Sequence, residues 1–152
     1  VSNLEERPQE ALCEGTPADG PVTELLIPRE VVLGTRDGTM VSRTLPNKER
    51  RMVGAWCFAD HYGPTDVGNS PGMSVAPHPH AGLQTVSWLV SGEVFHQDSL
   101  GSEATARPGT LNLMTAGHGI AHAETSPVPH SPWLHGVQLW VALPGQHRET
   151  GP

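Results

Sequence analysis

An all-β fold is what this sequence predicts: a small, mostly antiparallel barrel of short strands, and three observations carry that expectation. Gly and Pro number 17 and 15 among 152 residues, so turn-forming residues divide the chain at short intervals. The runs between them are β-prone and too short for helices. Two runs alternate with period two, which is the pattern of a strand with one buried face: residues 83–90 and residues 133–143. A chain of 152 residues is enough for one domain with a sizeable core.

Residues 1–20 are polar and rich in Glu, Pro and Gly. A short helix over residues 3–13 would place Pro8 too deep for its first turn, so an N-terminal arm is expected there. The domain proper is expected over residues 21–145, with residues 146–152 as a tail. Within it, Glu24-Leu25-Leu26-Ile27, Glu30-Val31-Val32-Leu33 and Met40-Val41-Ser42-Arg43-Thr44-Leu45 read as strands, divided by Pro28, Gly34, Asp37-Gly38 and Pro46-Asn47. The apolar run of residues 52–59 follows, ended by a turn at Asp60-His61-Tyr62-Gly63-Pro64, where His61 is expected to bond locally. Residues 65–72 form a loop too polar and broken for the core.

Pro77 and Pro79 hold Ala76 and His78 away from the helical region, so residues 77–80 are extended. Lacking a ladder donor, the prolines place this segment at a sheet edge or barrel rim. Leu83, Thr85, Ser87 and Leu89 share one face of the next strand, opposite Gln84, Val86, Trp88 and Val90. Ser91-Gly92 then predicts a hairpin into residues 93–99. Turns at Leu100-Gly101-Ser102, Arg107-Pro108-Gly109 and Gly117-His118-Gly119 flank a strand at residues 110–114, and residues 133–143 supply a closing strand. Trp88 and Trp140 are expected in the core.

Charge narrows the partners. Nine Lys plus Arg against sixteen Asp plus Glu give a net charge of -7, which lacks the basic patch of a direct nucleic-acid binder. No apolar run approaches the roughly 20 residues of a membrane span, and the N-terminus has no basic-then-apolar leader. A cytoplasmic protein with no membrane partner is expected. Cys13 lies in the polar arm and Cys57 in an apolar run, so no disulfide framework is expected and Cys57 reads as a small core residue.

The organising feature is His78-Pro79-His80, read with His122-Ala123-Glu124. In extended chain, residues i and i+2 share a face, so each pair aims its donors into one space. Neutral imidazoles and a carboxylate are suitable donors for a divalent ion. His78, His80, His122 and Glu124 are therefore the expected metal ligands. His96, two residues before Asp98, reads as a structural hydrogen bond, and His130, His135 and His147 as loop or surface residues.

A resemblance sharpens this. Gly72, five residues, His78-Pro79-His80, three residues, Gln84 and Gly92 are similar to the first cupin motif, with Gln84 where a glutamate is usual. Further blocks resemble the pirin family within the cupins: Phe58-Ala59-Asp60-His61-Tyr62-Gly63-Pro64, Pro77-His78-Pro79-His80-Ala81-Gly82-Leu83-Gln84, His96-Gln97-Asp98-Ser99-Leu100-Gly101, Gly117-His118-Gly119-Ile120-Ala121-His122-Ala123-Glu124 and Leu134-His135-Gly136-Val137-Gln138. His118 stands where that family has an arginine and Ala123 where it commonly has a serine.

The resemblance implies a cupin-type, jelly-roll-like barrel and a mononuclear metal, most often Fe(2+), on His78, His80, His122 and Glu124. An ordinary cupin's third histidine would fall near Asn112, whereas the pirin pattern takes its ligand ten residues later. Pirins are usually two-cupin proteins with a second, metal-free barrel, and this chain stops at Pro152, so the second barrel is expected to be absent, in a single-domain version, a truncated product or a fragment. The implied activity is that of a quercetinase, a flavonol 2,4-dioxygenase also described as quercetin 2,3-dioxygenase. Glu124 would be both ligand and base toward a flavonol-like substrate. The alternative the family offers is a non-catalytic, metal-dependent and redox-responsive protein that regulates a protein partner.

Overall fold

A computed structural model describes residues 20, 23–33 and 38–152. The expected arm apart from Gly20, with Cys13, and the turn residues Gly34 and Asp37 lie outside the described residues. Among the described residues ten strands follow in order: β1 (Arg29–Leu33), β2 (Thr39–Leu45), β3 (Trp56–Asp66), β4 (Ser74–His80), β5 (Leu83–Ser91), β6 (Val94–Asp98), β7 (Glu103–Ala106), β8 (Leu111–Thr115), β9 (Ile120–Thr125) and β10 (Trp133–Ala142). A short 3-10 turn occupies Gly145–His147. Among the described residues, no helix is long and apolar enough to cross a membrane.

The strands form two antiparallel sheets, a six-stranded one in the order β1-β2-β3-β10-β5-β8 and a four-stranded one in the order β4-β9-β6-β7. Side-chain alternation sends one face of each sheet into the space between them. Val41, Tyr62, Met73, Leu89, Val94, Ala106 and Leu134 fill one end of that space. Leu83, Ala116 and Ile120 fill the other end, with Met114 and Trp140 against them. Fully burying a large apolar side chain such as Leu89 or Leu134 stabilises the fold by about 1.5–3 kcal/mol. The layer between the two apolar ends is polar, because the central inward positions are Thr85 and Ser87 on β5, Gln138 on β10, His78 and His80 on β4, and His122 on β9.

Several expectations are corrected. Residues 24–27 are not a strand; Leu25 is 84% and Ile27 70% exposed, and among the described residues no strand runs alongside that segment. The turn expected at residues 60–64 lies inside β3, because β10 pairs along β3 as far as Asp66. Gly63 absorbs the irregularity: the register slips by one residue there, its φ is +79°, and a Cβ would overlap the Leu134 carbonyl oxygen. It is a bulge glycine, and it allows two prolonged strands to stay paired. His61 consequently bonds across strands to His135, Nε2 to Nε2 at 3.0 Å, rather than locally.

The β5–β6 hairpin does not form. Both edges of β5 are taken, by β10 and β8, so Gly92 turns the chain into the other sheet. The hairpin is instead β6–β7, whose second strand the sequence reading left unassigned. Residues 133–143 do form a strand, but β10 sits inside its sheet between β3 and β5 rather than closing it. Trp88 faces outward and is 41% exposed, not core. Trp140 faces inward, stacked on Phe58 with ring centroids 3.9 Å apart. Cys57 is half-buried with its thiol donating to the Trp140 carbonyl at 3.5 Å, and its burial pushes the thiol pKa up.

Candidate metal centre

β4 and β9 pair so that His78 lies opposite His122. A bulge between Val75 and His78 puts two residues of β4, Ala76 and Pro77, against one of β9, Ala123. By alternation alone Val75 and His78 would face opposite ways, and the bulge turns both inward. Residues 74–80 stay in the strand, and the rings of His78 and His80 stand 4.8 Å apart at their centroids. The His122 ring is 4.5 Å from His78 and 4.9 Å from His80. One nitrogen from each imidazole falls within 4.8 Å of the others.

The protonation of this cluster suits a cation. Burial, followed by the proximity of His78, holds His80 down at about 4. Burial, His78, His80 and His96 hold His122 down at about 3, against an opposing pull from Asp98. Both rings are therefore neutral at pH 7 and carry a lone pair. His78 donates its Nδ1 proton to the Ala76 carbonyl at 2.9 Å, which leaves Nε2 as its lone-pair donor. His80 Nε2 and His122 Nε2 are 3.1 Å apart. That separation is close to the roughly 3.0 Å between adjacent donors each about 2.1 Å from one octahedral ion. By donor chemistry and spacing, the three histidines fit a divalent metal.

Glu124 shares the inward face of β9 but does not join the three-nitrogen cluster. Its β6 neighbour in register is His96, and its carboxyl lies beside the Ser87 hydroxyl. Burial pushes that carboxyl up to about 7, with His96 and Ser87 pulling the other way. Glu124 and His96 also line an open cavity of about 580 Å³, together with Thr85, Asn112, Leu111 and Leu113. Asn112 thus reaches the cavity and not the histidine cluster. Gln84 belongs to the outward face of β5, where its amide donates to Thr115 Oγ1 at 2.9 Å.

Behind the cluster stands a column of stacked groups. The Trp140 ring meets His80 edge-on at 4.7 Å and stacks on Phe58, and the Arg43 guanidinium sits 4.5 Å over the Phe58 ring. Arg43 makes a bidentate pair with buried Asp60, at 2.8 and 2.7 Å. On the other side of His122 lie His96 and Asp98, which sequence reasoning left out of the site. Their two-residue spacing on one strand face was the same signal that selected the ligand pairs.

Comparison with known proteins agrees with this architecture. The Pirin family model matches residues 38–141. A Pseudomonas aeruginosa protein provisionally named a quercetin 2,3-dioxygenase is 53% identical over 115 residues, covering 76% of this chain and 36% of its own length. Pirin from Rattus norvegicus is 36% identical over 132 residues, covering 86% of this chain and 42% of its own. A crystal structure of quercetin 2,3-dioxygenase from Acinetobacter baumannii superposes with a TM-score of 0.77 at 48% identity, covering 83% of this chain and 41% of that one. The chain spans about two fifths of the length of these relatives. With a family match across most of its described strands, a cupin-like pair of sheets and an inward histidine cluster, this chain belongs to the pirin family.

Proposed function

We propose that this chain is the metal-binding part of a quercetinase-type dioxygenase acting on flavonol-like small molecules, with Fe(2+) held by His78, His80, His122 and Glu124. The observation that carries the reading is three imidazoles converging within 4.8 Å, beside a carboxyl that opens onto a cavity of about 580 Å³. A ferrous ion bound there would supply open coordination positions and electron exchange with dioxygen, the chemistry that opening a flavonol ring with loss of carbon monoxide requires.

The chain's own residues have separable parts in this. His78 and His80 present their donors from an extended, proline-held strand, so little ordering accompanies binding. Trp140 and Ile120 close the apolar side of the site to water. Burial holds the Glu124 carboxyl at about 7 in the metal-free protein; beside a bound cation it would be a carboxylate, placed to take a proton from a substrate hydroxyl. A cavity of this size falls within the range of small-molecule sites, and Leu111 and Leu113 give it an apolar rim for an aromatic ligand.

The test is oxygen uptake by ferrous-loaded protein as flavonol absorbance falls, with both abolished in His80→Ala. Bound metal without turnover would favour the redox-responsive regulatory role instead.

A further inference from the structure

His122 touches more than the cluster. Its Nδ1 lies 3.2 Å from His96 Nδ1, and His96 Nε2 lies 3.2 Å from Asp98 Oδ2. The row Asp98, His96, His122 is buried, with the Asp98 side chain only 5% and the His96 side chain 20% exposed. Its far end is anchored: Asp98 Oδ1 accepts from the backbone N–H groups of Leu100 at 2.9 Å and Ser102 at 3.0 Å.

With His96 as a neutral imidazole, counting protons sets the direction of every bond in the row. A carboxylate only accepts, so His96 Nε2 carries the hydrogen that it donates to Asp98. A neutral imidazole has one such hydrogen, so His96 Nδ1 is an acceptor. His122 must then donate from Nδ1, which leaves its Nε2 lone pair facing His80 Nε2, 3.1 Å away.

We propose that Asp98 and His96 are positioning residues that impose the Nδ1–H tautomer on His122 and so prepare its Nε2 to bind a divalent cation. The proposal rests on the metal centre put forward above, and it assigns two residues beyond the expected ligand set. Groups that orient a ligating imidazole through its second nitrogen typically change metal affinity 10–100-fold when altered.

Asp98→Asn tests the polarity of the row while keeping its shape. The backbone N–H groups of Leu100 and Ser102 claim the new amide's oxygen, which turns its NH2 toward His96. His96 Nε2 must then accept, its Nδ1 becomes a donor, and His122 Nδ1 must accept in turn. The proton of His122 moves to Nε2, the atom meant for the metal. His96→Gln, by contrast, offers an acceptor toward His122 and a donor toward Asp98.

The measurements are Zn(2+) affinity by competition with a chromophoric chelator, and nitrogen-15 spectra of the histidine rings in the metal-free full chain. Expected are an Nδ1–H His122 in the wild type, an Nε2–H His122 in Asp98→Asn with at least a tenfold loss of Zn(2+) affinity, and affinity within about threefold of wild type in His96→Gln. An Nε2–H His122 in the wild type, or Asp98→Asn binding Zn(2+) within threefold of wild type, overturns the proposal. A wild type that binds no Zn(2+) would remove the metal centre itself, and the nitrogen spectra would still decide the row.

Discussion

The metal-free protein should lose stability on mild acidification, and Glu124→Gln should make the loss steeper. His80 and His122 are held at about 4 and about 3 in the fold, below the ordinary imidazole value of 6.5. Their contribution is complete above 6.5 and is lost as the pH falls toward those values, because the unfolded chain takes up protons that the fold refuses. At about 1.4 kcal/mol per pH unit, each imidazole removes roughly 2 kcal/mol between pH 7 and pH 5. Glu124 works in the opposite sense: raised from 4.5 to about 7, it stabilises the fold when protonated, and that contribution is lost as the pH rises through 7. Over the same interval it returns roughly 2 kcal/mol, so the net loss is about 2 kcal/mol in the wild type and about 4 kcal/mol in Glu124→Gln. Urea unfolding after removal of metal by chelation, at pH 7 and pH 5, reads both numbers. A Glu124→Gln protein as stable at pH 5 as at pH 7 would refute the burial of neutral imidazoles on which the site depends.

Two further outcomes follow from the packing. Trp140→Ala removes the ring stacked on Phe58 and standing against His80; it should cost about 3–5 kcal/mol in urea unfolding and weaken Zn(2+) binding as His80 loses its wall. Gly63→Ala puts a Cβ against the Leu134 carbonyl at a φ of +79°, so a loss of at least about 2 kcal/mol is expected by the same measurement.

That each pair shares an inward face was legible because period-two spacing is local. His78 and His80, like His122 and Glu124, sit two residues apart in extended chain, and a strand sends both to one side whatever its partner. The strand content was legible for the same reason, and the blocks around Gly117-His118-Gly119 and His78-Pro79-His80 carried the family. Where the reading went wrong, the missing information was pairing. Ser91-Gly92 has the composition of a hairpin, yet both edges of β5 were already occupied by β8 and β10, strands that lie 20 and more residues away in the chain. Nothing local in residues 60–64 announces that β10 will run alongside and carry β3 through its own turn signal.

By itself the sequence determined an all-β chain with two histidine-bearing segments able to face a common space. Only the tertiary structure decided that the bulge between Val75 and His78 turns His78 inward, that Glu124 stands beside Ser87 and His96 rather than among the three nitrogens, and that Asp98 reaches His122 through His96. The physical reason is that side-chain alternation along a strand is set by each residue's own backbone. Which alternating face meets which depends on register between strands distant in sequence, and one inserted residue is enough to invert it.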